Sequence, residues 1–159
     1  MEHQPKLHAE LIDWFLTLPL WLELPRLRVV HACWHAPFIS WVEPYLQDGR
    51  YLTRDLMPGA TIEPENESAK DDGTPTIFKA VECVTKGIEL PLPDGHSFKD
   101  KDGHVRHRVR VRWWDENAST YRSAALMSPQ ESAALPESRY LRMLASTSER
   151  SRCSSGTTG

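Results

Sequence analysis

The chain has 159 residues, 40% hydrophobic and 26% charged, the composition of a soluble globular protein of about one domain. A formal net charge of -3 gives no global attraction to nucleic acid or to an anionic membrane, so any basic site has to be local. Cys33, Cys83 and Cys153 are an odd set without framework spacing, which fits reduced thiols in the cytoplasm rather than a disulfide scaffold.

Lys6 to Leu18 carries Leu7, Leu11, Trp14, Phe15 and Leu18 at three- and four-residue steps, which predicts an amphipathic helix ended by Pro19. The surrounding stretch LIDWFLTLPLWLELP is interrupted by Asp13, Pro19 and Glu23. It is too short and too polar to cross a bilayer, and it makes a poor signal peptide. LWLEL at Leu20–Leu24 and LRVVHACW at Leu27–Trp34 read as two short strands joined at Pro25-Arg26, a hairpin or two neighbours in a sheet.

Polar sequence from Leu46 to Gly73, with turn signals at Pro58-Gly59 and Asp71-Asp72-Gly73, predicts loop with one short helical piece. Thr74-Pro75 supplies an N-cap and a first-turn proline, Ile77, Val81 and Val84 form a stripe, and Gly87 stands at the C-cap position of a helix. After the turn KDKDG, Val105, His107, Val109, Val111 and Trp113 alternate with Arg106, Arg108, Arg110, Arg112 and Trp114. Period-two alternation predicts one strand with an apolar and a cationic face, and Tyr121–Leu126 is placed to pair back on it. From about residue 141 the sequence has the composition of a disordered tail, so the chain divides into 1–140 and 141–159.

Several side chains invite a chemical reading. His31 ends an apolar run, where it is either a hydrogen-bonded strand-end histidine or a metal ligand delivered to a sheet edge. Cys33 and His35 have the composition of a thiol-imidazole pair but no orienting third group, and Cys33 reads better as a small buried hydrophobe. Arg108, Arg110 and Arg112, with Arg106, form a ladder suited to gripping phosphate, or else a solvated strand face. His96, His104 and His107 with Asp94, Asp100 and Asp102 lack a recognised metal spacing and read as surface polar residues. Trp113-Trp114 is expected to split, one ring to the core and one outward. A single-stranded nucleic-acid or phosphate-binding module built on Arg106–Trp114 is the alternative function, against which the net acidity argues.

The order LTLPLWLELPRLRVVHACW, GIELPLPDGHSFKDKDGHVRHRVRVRWWD, SAALMSPQESAALPES resembles bacterial calcineurin-like metallophosphoesterases of the diadenosine-tetraphosphatase-like and serine/threonine-phosphatase-like kind, over roughly Lys6 to Ser138. The resemblance implies an α/β fold, here a fragment of a β-sandwich flanked by helices. It also implies hydrolysis of phosphate esters or nucleotide anhydrides on a phosphorylated small molecule or a phosphoprotein, without a membrane partner. Intact relatives use two divalent ions, with Mn, Fe, Zn, Ni or Co possible, and His31 falls on the family's strand-end ligand. Paired metals about 3.5–4 Å apart clamp the phosphoryl oxygens during in-line attack.

The family's G-D-x-H-G, G-D-x-x-D-R-G and G-N-H-E signatures do not occur, so the chain is expected to be the second half of a longer member, inactive alone and without retained metal. The downstream G-H motif is also missing. Yet Ser151–Gly159, SRCSSGTTG, can be encoded as AGC CGG TGT TCT TCG GGC ACT ACT GG. One base back, with an A before and the final G as the closing base, the same DNA reads Lys-Pro-Val-Phe-Phe-Gly-His-Tyr-Trp, a strand and G-H-Y-W motif. A frameshift is therefore expected between about Pro136 and Arg150.

Overall fold

A computed structural model of the chain describes residues 4–140; the expected tail, 141–159, lies outside the described residues. Helix α1 (Pro5–Leu16) opens on a proline, whose fixed φ and missing N–H suit a first turn, and closes with the Thr17 and Leu18 N–H groups on Trp14 and Phe15 carbonyls. Its stripe is present but faces solvent. No residue of α1 is buried, and Leu7, Leu11, Trp14 and Phe15 are all exposed.

The expected hairpin forms from β1 (Trp21–Leu24) and β2 (Leu27–Val30), antiparallel in the register Trp21↔Val30, Leu22↔Val29, Glu23↔Arg28, Leu24↔Leu27. Period two divides it into dissimilar faces. Trp21 enters the core beside Val30, and Glu23 pairs with Arg28 at 2.7 Å. The opposite face carries Leu22, Leu24, Leu27 and Val29, the last three at 50%, 56% and 44% exposure.

β2 stops at Val30, four residues short of the expected end. The reason is a competing partner: the Ala32 N–H bonds the Val84 carbonyl at 2.9 Å, which takes the chain out of the hairpin and into the core. His35 then caps α2 (Ala36–Val42), its Nδ1 accepting the Phe38 N–H at 3.2 Å.

Between 46 and 73 there are two helical pieces, more than the single one expected. A 3₁₀ turn at Arg54–Leu56 runs into α3 (Met57–Thr61), and α4 (Glu67–Asp71) is capped by the Asn66 side chain. The major helix, α5 (Ile77–Lys86), forms as predicted and ends at Gly87 with φ +96°, a conformation that favours glycine. Its cap is Thr76 rather than Thr74: Thr76 Oγ1 accepts the Lys79 N–H, while the Thr74 carbonyl takes the Lys79 ammonium. Ala80, Val81, Cys83 and Val84 bury the inner face of α5, each fully buried Val contributing roughly 1.5–3 kcal/mol.

The arginine-rich stretch is not one strand. β5 (Val105–Arg106) pairs with β4 (Phe98–Lys99), whereas β6 (Arg108–Arg110) pairs with β3 (Glu89–Pro91). Two different partners require a break, and it falls at His107, whose carbonyl accepts the Leu92 N–H. In–out alternation survives only where a core lies beneath, so Val109 and Val111 are buried while Val105 is exposed. Tyr121–Leu126 returns as expected, though as α6 (Tyr121–Ala124) followed by an antiparallel bridge of Ala125 to Val111. A short α7 (Pro129–Ser132) comes next, closed by a capping box between Ser128 and Glu131.

The class is thus mixed α/β with small antiparallel sheets. The main core lies among α2, α5, the ends of β1 and β2, and Ile88, Leu90 and Val111; a second cluster of Leu92, Val109, Ala125 and Leu135 sits behind β6. Among the described residues no helix is long and apolar enough to cross a membrane.

The apolar hairpin face has a direct readout. The purified chain is expected to bind the dye anilinonaphthalene sulfonate and to self-associate, and the double substitution Leu24→Thr, Leu27→Thr to lower both at unchanged far-ultraviolet circular dichroism. Equal dye fluorescence from the variant would mean the dye sits elsewhere.

Candidate functional site

His31 stands at the end of β2 as the sequence predicts, and it is exposed. Its Nε2 is 3.4 Å from the Pro19 carbonyl, a long contact that leaves the ring accessible. Among the described residues the one group of ligand-type side chains close enough to share an ion is Asp100, Asp102 and His104, and His31 is not in it. In that group Asp100 is engaged otherwise: Oδ1 accepts the Asp102 and His104 N–H groups and Oδ2 holds the Arg106 guanidinium. Burial raises the Asp100 pKa, but the Arg106 and backbone hydrogen bonds outweigh it and leave the net shift downward.

The residues just after His31 are more constrained. Ala32 donates to Val84 and accepts the Trp113 Nε1–H at 2.6 Å, so the strand end, α5 and the turn after β6 meet at one residue. Trp113 packs on the main core, while Trp114, edge-on to it at 5.7 Å between centroids, is exposed, the split the sequence predicts. Cys33 is fully buried as expected, against Cys83. The hydrogen bond between the thiols, with burial as the second cause, pushes Cys83 far up, so that thiol stays protonated. The His35 Nδ1 lone pair is engaged by Phe38 N–H, which leaves the neutral ring no base for a thiol-imidazole pair.

The arginines part company. Arg108 is the half-buried one: it forks onto the Asp71 carboxylate at 2.7 and 3.2 Å, reaches Glu67 at 3.0 Å and donates to the Glu89 carbonyl. Burial works against its charge, but the Asp71 hydrogen bond and the three acids outweigh that and raise its pKa. Arg112 donates to the Ser123 carbonyl at 2.5 Å, and its buried Nε has no partner among the described residues. Arg110 makes one long hydrogen bond, from Nε to Glu89 at 3.3 Å. The four arginines therefore share no single cationic face.

Two concavities border the β3–β6 ladder. The larger, about 980 Å³, is lined by four lysines and arginines and six carboxylates, and its charge disfavours an anion. The smaller, about 310 Å³, lies between α2, α5 and the ladder, over Phe38, Phe78, Cys83 and Ile88. Five cations, Lys70, Lys79, Lys86, Arg108 and Arg110, face three carboxylates there. It is close to the end of β2, because a Cβ at Gly87 on its wall would lie 3.8 Å from Ala32 Cβ. The sequence nominated two of these cations; Lys70, Lys79 and Lys86 escaped because they come from α4 and α5, with no spacing that relates them to the ladder.

No protein family, curated protein or solved structure was found to match the chain. The functional reading therefore rests on residues and geometry.

One wall of the small pocket is set by electrostatics. The Lys79 ammonium binds the Asp72 carboxylate and the carbonyls of Asp72 and Thr74, which holds the Asp72 carboxyl below its usual range. A depressed carboxyl pKa adds stability that is present above its unfolded value of about 3.9 and is lost as pH falls through the lower folded value. A carboxyl NMR titration should therefore place Asp72 below about 3.9, and Lys79→Met should raise it towards the ordinary range, with the Thr74 N–H bond still holding it down in part.

Proposed function

We propose that the chain is the later part of a calcineurin-like metallophosphoesterase domain, a β-sandwich fragment flanked by helices, whose complete form hydrolyses phosphate esters or nucleotide anhydrides with two divalent ions. The observation that carries this reading is the apolar face of the β1–β2 hairpin, which is uncovered among the described residues and ends at an exposed His31. A two-stranded sheet with one bare apolar face is not a stable unit in water and calls for a second layer or more strands. In the sandwich reading the upstream polypeptide supplies that layer, and the same event brings its carboxylate, amide and imidazole donors to the strand end where His31 stands.

The donor set of the described residues does not fit a dinuclear centre by itself. His31 belongs to no group of three or more ligand-type side chains there, and a dinuclear centre needs several donors on each ion. No step of hydrolysis is therefore assigned to this chain's residues. Its contribution is one imidazole held on a short rigid strand, together with the cationic pocket beyond Gly87. The single-strand cationic surface of the alternative reading loses its basis in the break at His107 and in the carboxylate partners of Arg106, Arg108 and Arg110.

The expected outcome is absence of metal-dependent turnover by residues 1–159 on p-nitrophenyl phosphate or dinucleoside polyphosphates with manganese, nickel, cobalt or magnesium. When the chain is joined to an upstream segment carrying the G-D-x-H-G, G-D-x-x-D-R-G and G-N-H-E signatures, activity should appear. His31→Ala in that protein should lower it by roughly a hundredfold or more, since losing even an outer partner of a metal ligand costs 10–100-fold. A completed enzyme indifferent to His31→Ala, or robust turnover by the chain alone, would refute the assignment.

A further inference from the structure

We infer that the 310 Å³ pocket between α2, α5 and the β3–β6 ladder binds a small ligand with a flat apolar body and an anionic head, of the aryl phosphate type. Its size lies at the lower end of ligand pockets, which are mostly apolar with a few polar groups that fix orientation. Here the apolar part is Phe38, Phe78 and Ile88, aromatic and aliphatic surface suited to a flat ring system.

The polar part is the rim, and its charge selects the head group. Lining cations exceed lining carboxylates by five to three, but Lys70, Lys79 and Arg108 are already tied to Glu67, Asp71 and Asp72 just outside the lining, so the head group is left to Lys86 and Arg110. Two rim cations are available at little cost. Lys86 pairs with Glu82 at 2.5 Å and Arg110 with Glu89 at 3.3 Å, and all four side chains are at least 31% exposed. Exposed pairs of this kind are worth about 0–1 kcal/mol, so a phosphate can take the cations from their carboxylates. Arg110 is the better donor. Its Nε alone is engaged, and its two terminal nitrogens have no partner among the described residues, leaving a planar fork for two phosphate oxygens. Arg108 is already engaged by Asp71 and Glu67 and is not needed for the ligand.

This inference does not depend on the phosphoesterase reading, because it requires neither a metal nor turnover. The test is titration of the full chain with 1-naphthyl phosphate in the presence of a chelator, monitored by calorimetry and by ligand-observed NMR. Binding should be at least about tenfold tighter than for 1-naphthol or for inorganic phosphate, the two halves of the probe, and should weaken with added salt. Arg110→Gln and Lys86→Met, both at exposed positions, should each weaken it about three- to tenfold, with Arg110→Lys intermediate and circular dichroism unchanged. Equal affinity for the probe and its halves, or indifference to both substitutions, would overturn the pocket assignment. Either result leaves the metal-dependent experiment with the completed enzyme to be decided separately.

Discussion

Everything near the candidate site depends on the two hydrogen bonds at Ala32. Its N–H is taken by Val84 of α5 and its carbonyl by the indole of Trp113, so one peptide joins the hairpin, the principal helix and the turn after the arginine-rich ladder. Both partners are in the core or at its edge, where an unmade bond would cost about 1–3 kcal/mol. This clamp ends β2 at Val30, exposes His31 on the near side and buries Cys33 against Cys83 on the far side. It also brings Gly87, and with it the cationic pocket, up to the strand end.

The elements that were legible in the sequence are those whose signals are local. A three-four stripe ended by Pro19 gives α1; a stripe between a threonine cap and Gly87 gives α5, displaced at its start because Pro75 pointed to Thr74 as the cap whereas Thr76 Oγ1 takes the Lys79 N–H. The hairpin was legible from its β-branched residues. What could not be read was the end of β2, decided by a carbonyl on α5 more than fifty residues later, and the interruption at His107, decided by Leu92 and by which of two partners each half of the arginine run meets. Period two was present in the sequence over ten residues, but in the fold it holds only where Val109 and Val111 rest on apolar neighbours.

The site divides along the same line. His31, Cys33 and the outward Trp114 fall where their sequence context put them. The arginines do not act as a set, because alternation places side chains on a face but says nothing of which acids will meet them. Asp71 and Glu67 arrive from α4, a helix that the polar stretch around it concealed. The lysines of the pocket were illegible for a related reason: their convergence is a property of how α4 and α5 pack on the ladder.

The fork of Arg108 on Asp71 has a consequence for motion. It spans 37 residues and is the strongest polar tie between α4 and the ladder, since α4 itself buries no residue. A segment with few apolar contacts, anchored by a charge pair, opens locally at far lower free energy than the core. The stretch around α4 is therefore the natural cooperative unit for sub-global opening, exchanging its amide hydrogens well ahead of α5. Its opening frequency rises with ionic strength, because salt weakens the ion pairs of Arg108 with Asp71 and of Lys79 with Asp72 that hold it.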